Sequence, residues 1–131
     1  MATDSLQCSV ITPEGEVYDG KVDAVTIPAH DGEIGILFHR APLLCKLGAG
    51  RLRVRTGAEE TSWFVDAGFC QVLDNKVTVL TQTALNPAEL DRAEANRLLD
   101  DAREIKATDD VSTRRKAQLE TSARARLRMA R

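Results

Sequence analysis

Between Arg51 and Arg55 the chain alternates strictly, with three arginines on one side and Leu52 and Val54 on the other. A period of two is that of a strand with one buried face. Looser versions of the pattern run over Gln7–Ile11, Glu16–Tyr18, Lys21–Ile27, Glu60–Val65 around Trp63, Phe69–Leu73 and Lys76–Thr81. Turn signals separate them. Thr12-Pro13-Glu14-Gly15 presets its backbone angles through Pro and Gly, Asp19-Gly20 divides two strands, and Asp74-Asn75 is short enough for a hairpin. Gly48-Ala49-Gly50 precedes a strand, which makes it a tight turn and not a phosphate-binding helix start. Short strands at this spacing predict an antiparallel β-sandwich or barrel, not a parallel α/β sheet.

Near residue 85 the period changes. All eight glycines lie at or before Gly68, and beyond Ala84 the residues Ala, Leu, Arg and Glu dominate. Asn86-Pro87-Ala88-Glu89 predicts a helix start: Asn86 caps, Pro87 suits the first helical position, and Glu89 can reach back to the cap. That helix is expected to run to about Lys106. Thr108-Asp109-Asp110 then breaks and recaps it, and Val111–Arg131 forms a second helix. The short connection favours an antiparallel hairpin. The expected organisation is therefore a sandwich over 1–85 and a helix-turn-helix over 86–131.

The apolar seams of both helices are thin. Ala88, Ala95, Leu98, Leu99, Ala102 and Ile105 share one side of the first; Leu119, Ala123, Leu127 and Ala130 share one side of the second. Alanines bury little area, so each contact contributes little, and the pair is expected to be able to take a second docking position. Charge sharpens this. From Val111 onward there are seven basic residues and one acid, Glu120, whereas Asn86 to Asp110 carries eight acids and four bases. The cationic helix either pairs with its acidic neighbour or docks on an acidic protein partner. Nucleic acid takes a minor share, because stacking aromatics are absent there.

The 131 residues allow one domain or a compact domain with an appendage, and the net charge of −2 excludes a strongly basic nucleic-acid binder on overall balance. No apolar run is long enough to span a bilayer, and the first residues lack a signal peptide's pattern, so a cytosolic placement is expected. Cys8, Cys45 and Cys70 are odd in number and widely spaced, which suits small buried core residues better than a disulfide framework or a zinc site. His30 and His39 have no metal-ligand spacing. Neither a nucleophile elbow, a phosphate loop nor a carboxylate pair in an apolar setting is present. The residues point away from an enzyme.

One family joins these features. His30-Asp31-Gly32-Glu33-Ile34-Gly35-Ile36-Leu37, Ala41-Pro42-Leu43-Leu44, Ala67-Gly68-Phe69 and Asn75-Lys76-Val77-Thr78-Val79-Leu80 closely resemble, in order and spacing, the epsilon subunit of bacterial F-type ATP synthase. The match extends to the start of the helical region at Leu90-Asp91. The resemblance implies an N-terminal β-sandwich and a C-terminal helical hairpin. It further implies a non-catalytic rotor subunit that binds gamma and the c-ring, helps couple proton-driven rotation to ATP synthesis at alpha and beta, and restrains ATP hydrolysis through its helices. Its place would be peripheral, at the cytoplasmic face of the bacterial plasma membrane, with contact to the membrane only through the complex. Apart from the resemblance, the residues also fit a small β-sandwich binding module whose basic tail serves acidic proteins or nucleic acid.

The resemblance also nominates sites. Glu33 matches a family acid in the loop expected after Ile27, at the sandwich end that faces the c-ring. Where the family usually reads Leu-Pro-Gly-His-Ala-Pro, this chain reads Leu37-Phe38-His39-Arg40-Ala41-Pro42, so Arg40 takes the usual histidine position and the Pro-Gly pair is lost. His39 and Arg40 are candidate partner contacts. In members that bind ATP on the hairpin, Ile/Leu-Asp-x-x-Arg-Ala opens the first helix. Here Leu90-Asp91-Arg92-Ala93-Glu94-Ala95 puts Glu94 in the arginine's place, and an acid repels a triphosphate. ATP binding is expected to be weak or absent, with no cofactor and no metal. Arg124, Arg128 and Arg131 share one side of the last helix and are the candidate inhibitory contact.

Overall fold

The computed structural model describes residues 5–130. It divides into two compact units, one ending at Leu85 and the other starting at Asn86.

The first unit is an eight-stranded sheet that folds over on itself. Its strands are β1 (Leu6–Thr12), β2 (Gly15–Val22), β3 (Ala24–Ala29), β4 (Gly32–Leu37), β5 (Leu43–Lys46), β6 (Gly50–Thr56), β7 (Glu59–Leu73) and β8 (Lys76–Leu85). They lie in the order β2-β1-β8-β7-β6-β3-β4, with β5 branching from β7. All pairings are antiparallel except β1 with β8. The long strand β7 makes the fold. Its first half pairs with β6 and its second half with β5, so it serves two layers. Closure is visible in the Tyr18 and Trp63 rings, 5.3 Å apart although β2 and β7 are three strands distant in the sheet. The layers enclose a core that includes Leu6, Val10, Val25, Ile27, Ile36, Leu52, Val65, Val72, Val77 and Val79.

The corner of β7 is Ala67-Gly68, both with positive φ, 59° and 120°. The close approach of β8 leaves room for glycine only: a Cβ on Gly68 would stand 1.9 Å from the Leu80 carbonyl oxygen. Buried Thr81 fills the bend. Its hydroxyl lies 2.9 Å from the carbonyl oxygen of Ala67, the corner residue that drops out of the β7–β8 register, and 3.1 Å from that of Asp66.

The arginine alternation is realised on β6, with Leu52 and Val54 buried and Arg51 and Arg55 exposed. Other elements differ from the sequence expectation. The stretches over Glu60–Val65 and Phe69–Leu73 are one strand, because the bend re-aims the chain without ending its pairing with β8. Asp19-Gly20 does not divide a strand either: the Asp19 carboxylate accepts from Gln7 Nε2 at 2.6 Å and Ser9 Oγ at 3.1 Å, which holds it on the ladder opposite β1. The break falls at Asp23, whose carboxylate accepts the Gly57 N–H at 2.6 Å. Strands β4 and β5 were not expected, and what the sequence suggested as a loop after Ile27 is a hairpin of β3 and β4 turning at His30-Asp31, with Glu33 on β4, because the two strands pair from Ala24 to Leu37.

The second unit opens with a 3-10 turn over Pro87–Glu89, capped by Asn86, followed by α1 (Arg92–Arg103) and α2 (Asp110–Met129). The helix expected from Asn86 therefore starts later. Leu90 and Asp91 are extended, the Asp91 side chain accepts the Ala93 N–H at 2.9 Å, and Leu90 is buried, as is Ala95 at the fourth helical position. That is a cap with an apolar staple, and it outcompetes continuation from Asn86. At the other end α1 stops at Arg103, whose carbonyl accepts from Lys116 Nζ at 3.0 Å, short of Lys106. Asp109 caps α2 and Ser112 reciprocates in a capping box. The buried positions of the hairpin are Leu90, Ala95, Leu99, Ala102, Ser122, Ala123, Ala125, Met129 and Ala130. Alanine dominates them, while Leu98 and Leu119 of the expected seams are 37% and 40% exposed and Ala88 is exposed outside α1.

Candidate partner-contact site

Glu33 lies on β4 opposite Pro28 and is exposed. Arg53 reaches it across Thr26 and the side-chain-free Gly35, since Gly35, Thr26 and Arg53 lie side by side on β4, β3 and β6. The Arg53 Nη2 to Glu33 Oε2 distance is 3.3 Å, with side chains 36% and 60% exposed. A pair this wet contributes about 1 kcal/mol or less, so Glu33 can exchange Arg53 for a partner's cation at little cost.

His39 and Arg40 lie at the other end of β4. The strand's last residue, Leu37, is four steps beyond Glu33, about 13 Å at strand rise, so the structure does not bring Glu33 together with His39 and Arg40. The two are exposed in a turn closed by the Arg40 N–H to the Leu37 carbonyl at 3.1 Å. His39, at the third position of the turn, has φ 67°. That is the geometry of a type II turn, which ordinarily takes glycine there. The turn forms without a Pro-Gly pair with outside support from the Asn75 side-chain carbonyl, which accepts the His39 N–H at 2.7 Å, while within the turn the Phe38 and His39 rings meet edge-on at 4.1 Å. Asn75 itself stands in the β7–β8 hairpin and its backbone carbonyl accepts the Gln7 N–H at 2.9 Å. It thus ties three segments at one end of the sandwich.

Two further features escaped the sequence reading. The sequence marks Asn75 as a turn residue and the first position of a family motif, and nothing local signals its grip on a residue 36 positions away. The second is an apolar row on the outer face. Phe69 pairs with Leu80, and Leu80 with Ile11. Phe69, Leu80, Leu73 and Leu44 are 52%, 49%, 47% and 71% exposed. Strand alternation could have found Phe69 and Leu73, since both lie opposite the inward Cys70 and Val72.

On the hairpin, Arg124 and Arg128 are exposed and about 40° apart around α2. Arg124 is held by Glu120 at 3.1 Å. Arg131 lies outside the described residues. The four residues of the degenerate ATP motif all serve the start of α1: Leu90 as staple, Asp91 as cap, Glu94 as an acid in the first turn and Ala95 as a buried contact. Arg92 is turned away from them, its Nη1 donating to the Leu127 carbonyl at 3.4 Å.

Cys8 and Cys70 are fully buried, and burial pushes both thiols up to about 12. Cys45 is half-buried. Among the described residues there is no group of three His, Cys, Asp or Glu able to hold a metal ion, and no helix is long and apolar enough to cross a membrane.

A sheet folded through one shared long strand, followed by an alanine-seamed helical pair, defines the class. The family model of the ATP synthase delta/epsilon chain β-sandwich domain matches residues 5–87. Relatives extend the likeness through the helices. The ATP synthase epsilon chain of Rhodopirellula baltica is 40% identical over 124 residues, covering 95% of this chain and 94% of that one. That of Hydrogenovibrio crunogenus is 37% identical over 118 residues, covering 88% and 82%. The chain belongs to the ATP synthase epsilon chain family. Solved structures agree on the fold: a chain of the Euglena gracilis mitochondrial ATP synthase OSCP/F1/c-ring assembly superposes with a TM-score of 0.81 at 20% identity, covering 95% of this chain and 81% of that one. A chain of the Tetrahymena thermophila mitochondrial central stalk and c-ring gives 0.67 at 18%, covering 97% and 96%.

Proposed function

We propose that this chain is a non-catalytic central-stalk subunit of an F-type ATP synthase, bound to gamma and the c-ring. In this reading it couples proton-driven rotation to synthesis at alpha and beta, and its helices restrain ATP hydrolysis. The observation that carries the reading is the relative whose match spans both units, sandwich and hairpin, over 94% of its own length. The geometry supplies the surfaces. The row of Ile11, Leu80 and Phe69, flanked by Leu44 and Leu73, is a dry face for a protein shaft such as gamma. The weakly paired Glu33 offers an exchangeable charge to the ring.

The hairpin suits a switch. Its buried residues are mostly alanine, so little area opposes a second position, and α2 presents Arg124 and Arg128 to an acidic site on the catalytic subunits, with Arg131 continuing the row in sequence. The chain reaches the cytoplasmic face of a bacterial plasma membrane as a peripheral component of the complex. At the start of α1 ATP would face Asp91 and Glu94, while Arg92 is engaged by the Leu127 carbonyl.

The deciding experiment mixes the full chain with its cognate gamma subunit and measures complex formation and ATP hydrolysis by the catalytic assembly. A stable one-to-one complex and slower hydrolysis are expected. Reversing Arg124 and Arg128 to Glu should relieve inhibition and leave gamma binding intact. No complex with gamma would refute the assignment, and unchanged inhibition by the reversed chain would refute the role of α2.

A further inference from the structure

Cys45 and Cys70 face each other across the ladder between β5 and β7. The Leu47 N–H donates to the Gly68 carbonyl two residues further along the same register, so Cys45 and Cys70 occupy a hydrogen-bonded pair. Their Cα atoms are then about 5.5 Å apart, within the range a disulfide spans. Residues directly opposite in an antiparallel ladder carry their side chains on the same face, so the two thiols are cross-strand neighbours. Cys70 is wholly buried and Cys45 half-buried on a strand that pairs with β7 alone, so one sulfur is reachable from solvent and the other stands behind it. Neither takes part in the proposed rotor contacts.

We infer that Cys45 and Cys70 form an oxidisable cross-strand dithiol that closes to a reversible disulfide by exchange with a low-molecular-weight disulfide. The Cys45 thiolate attacks one sulfur of that disulfide, forming a mixed disulfide and releasing one thiolate. Cys70 then gives its proton to solvent, and its sulfur displaces the second thiolate from Cys45. One small disulfide is reduced to two thiols, and the two cysteines together lose two hydrogens. Burial raises both thiols, Asp31 adding to the effect at Cys45, so exchange is slow at neutral pH and quickens as pH rises. Closure staples the edge strand β5 to β7 and restrains the turn that carries His39 and Arg40 just before it.

The test treats the full folded chain with cystamine at pH 8.5, traps remaining thiols by alkylation and maps the peptides by mass. The expected product is a chain about 2 Da lighter, with Cys45 linked to Cys70, Cys8 alkylated only after unfolding, and full reversal by dithiothreitol. A cystamine adduct that persists on Cys45 overturns the inference, as does a link through Cys8. So does a folded chain that stays reduced while the urea-unfolded chain oxidises.

Discussion

Replacing Gly68 by alanine should cost the sandwich a large share of its stability. The residue has φ 120°, a region essentially confined to glycine, where another residue loses about 1–3 kcal/mol. The added Cβ would lie 1.9 Å from the Leu80 carbonyl oxygen and 2.8 Å from the Thr81 Cα, both backbone atoms, so β8 must move. Movement threatens the Gly68–Thr81 pairing on one side and the 2.9 Å Leu47 N–H to Gly68 carbonyl bond on the other. Each is worth about 1 kcal/mol. The sum is about 3–5 kcal/mol, against roughly 4–13 kcal/mol for the total stability of a unit this size. Unfolding in urea followed by the fluorescence of Trp63, the single and nearly buried tryptophan, reads the sandwich directly. Gly35→Ala is the control: no atom lies within 4 Å of its Cβ and its φ is ordinary, so its midpoint should stay close to the wild type. A Gly68→Ala chain within about 1 kcal/mol of wild type would refute the reasoning, because that is less than backbone strain alone should cost.

Other expectations follow from the same geometry. His39→Gly should unfold within about 1 kcal/mol of wild type, since glycine relieves the left-handed strain that His39 bears, whereas His39→Val should be clearly less stable in the same urea titration. Asn75→Ala removes the side-chain acceptor for the His39 N–H and should raise amide exchange at His39, while Gln7, held by the backbone carbonyl that alanine keeps, stays protected; unchanged exchange at His39 would refute the tie. Hydrogen bonds from Ser112 hold the Asp109 carboxyl below its usual range, so its capping contribution is present above the unfolded-state pKa and fades as pH falls through the lower folded value; Asp109→Ala should lose helical circular dichroism at neutral pH and show less acid dependence. Cys8 and Cys70 carry folded pKa values raised to about 12, so their contribution is full below the unfolded value and lost as pH climbs from about 9 towards 12. With the folded pKa about three units up, their alkylation at pH 8 should be about a thousandfold slower in the folded chain than in the unfolded one.

Local chemistry alone made much of this protein legible. Leu52 and Val54 alternate with arginines because a pleated strand has period two, and both are buried. Asp109 caps α2 because its side chain reaches an N–H three residues ahead, an interaction written within four consecutive residues. The end of glycine at Gly68 and the loss of β-branched residues announced the helices. Tertiary structure decided the rest. Whether Asp19-Gly20 ends a strand depended on Gln7 and Ser9 across the ladder, and whether Asn86 or Asp91 begins α1 depended on where Leu90 could be buried. That β7 is one bent strand shared by two layers required Thr81 to meet the carbonyls of a corner 14 and 15 residues earlier. The candidate contacts divide the same way. Glu33, His39 and Arg40 were visible as residue types, but the partner of Glu33, the left-handed turn at His39 and the opposition of Cys45 to Cys70 came from folding. The physical reason is range: periodicity and caps act within one or two turns of chain, whereas register, corners and cross-strand neighbours are set by which distant segments exclude water together.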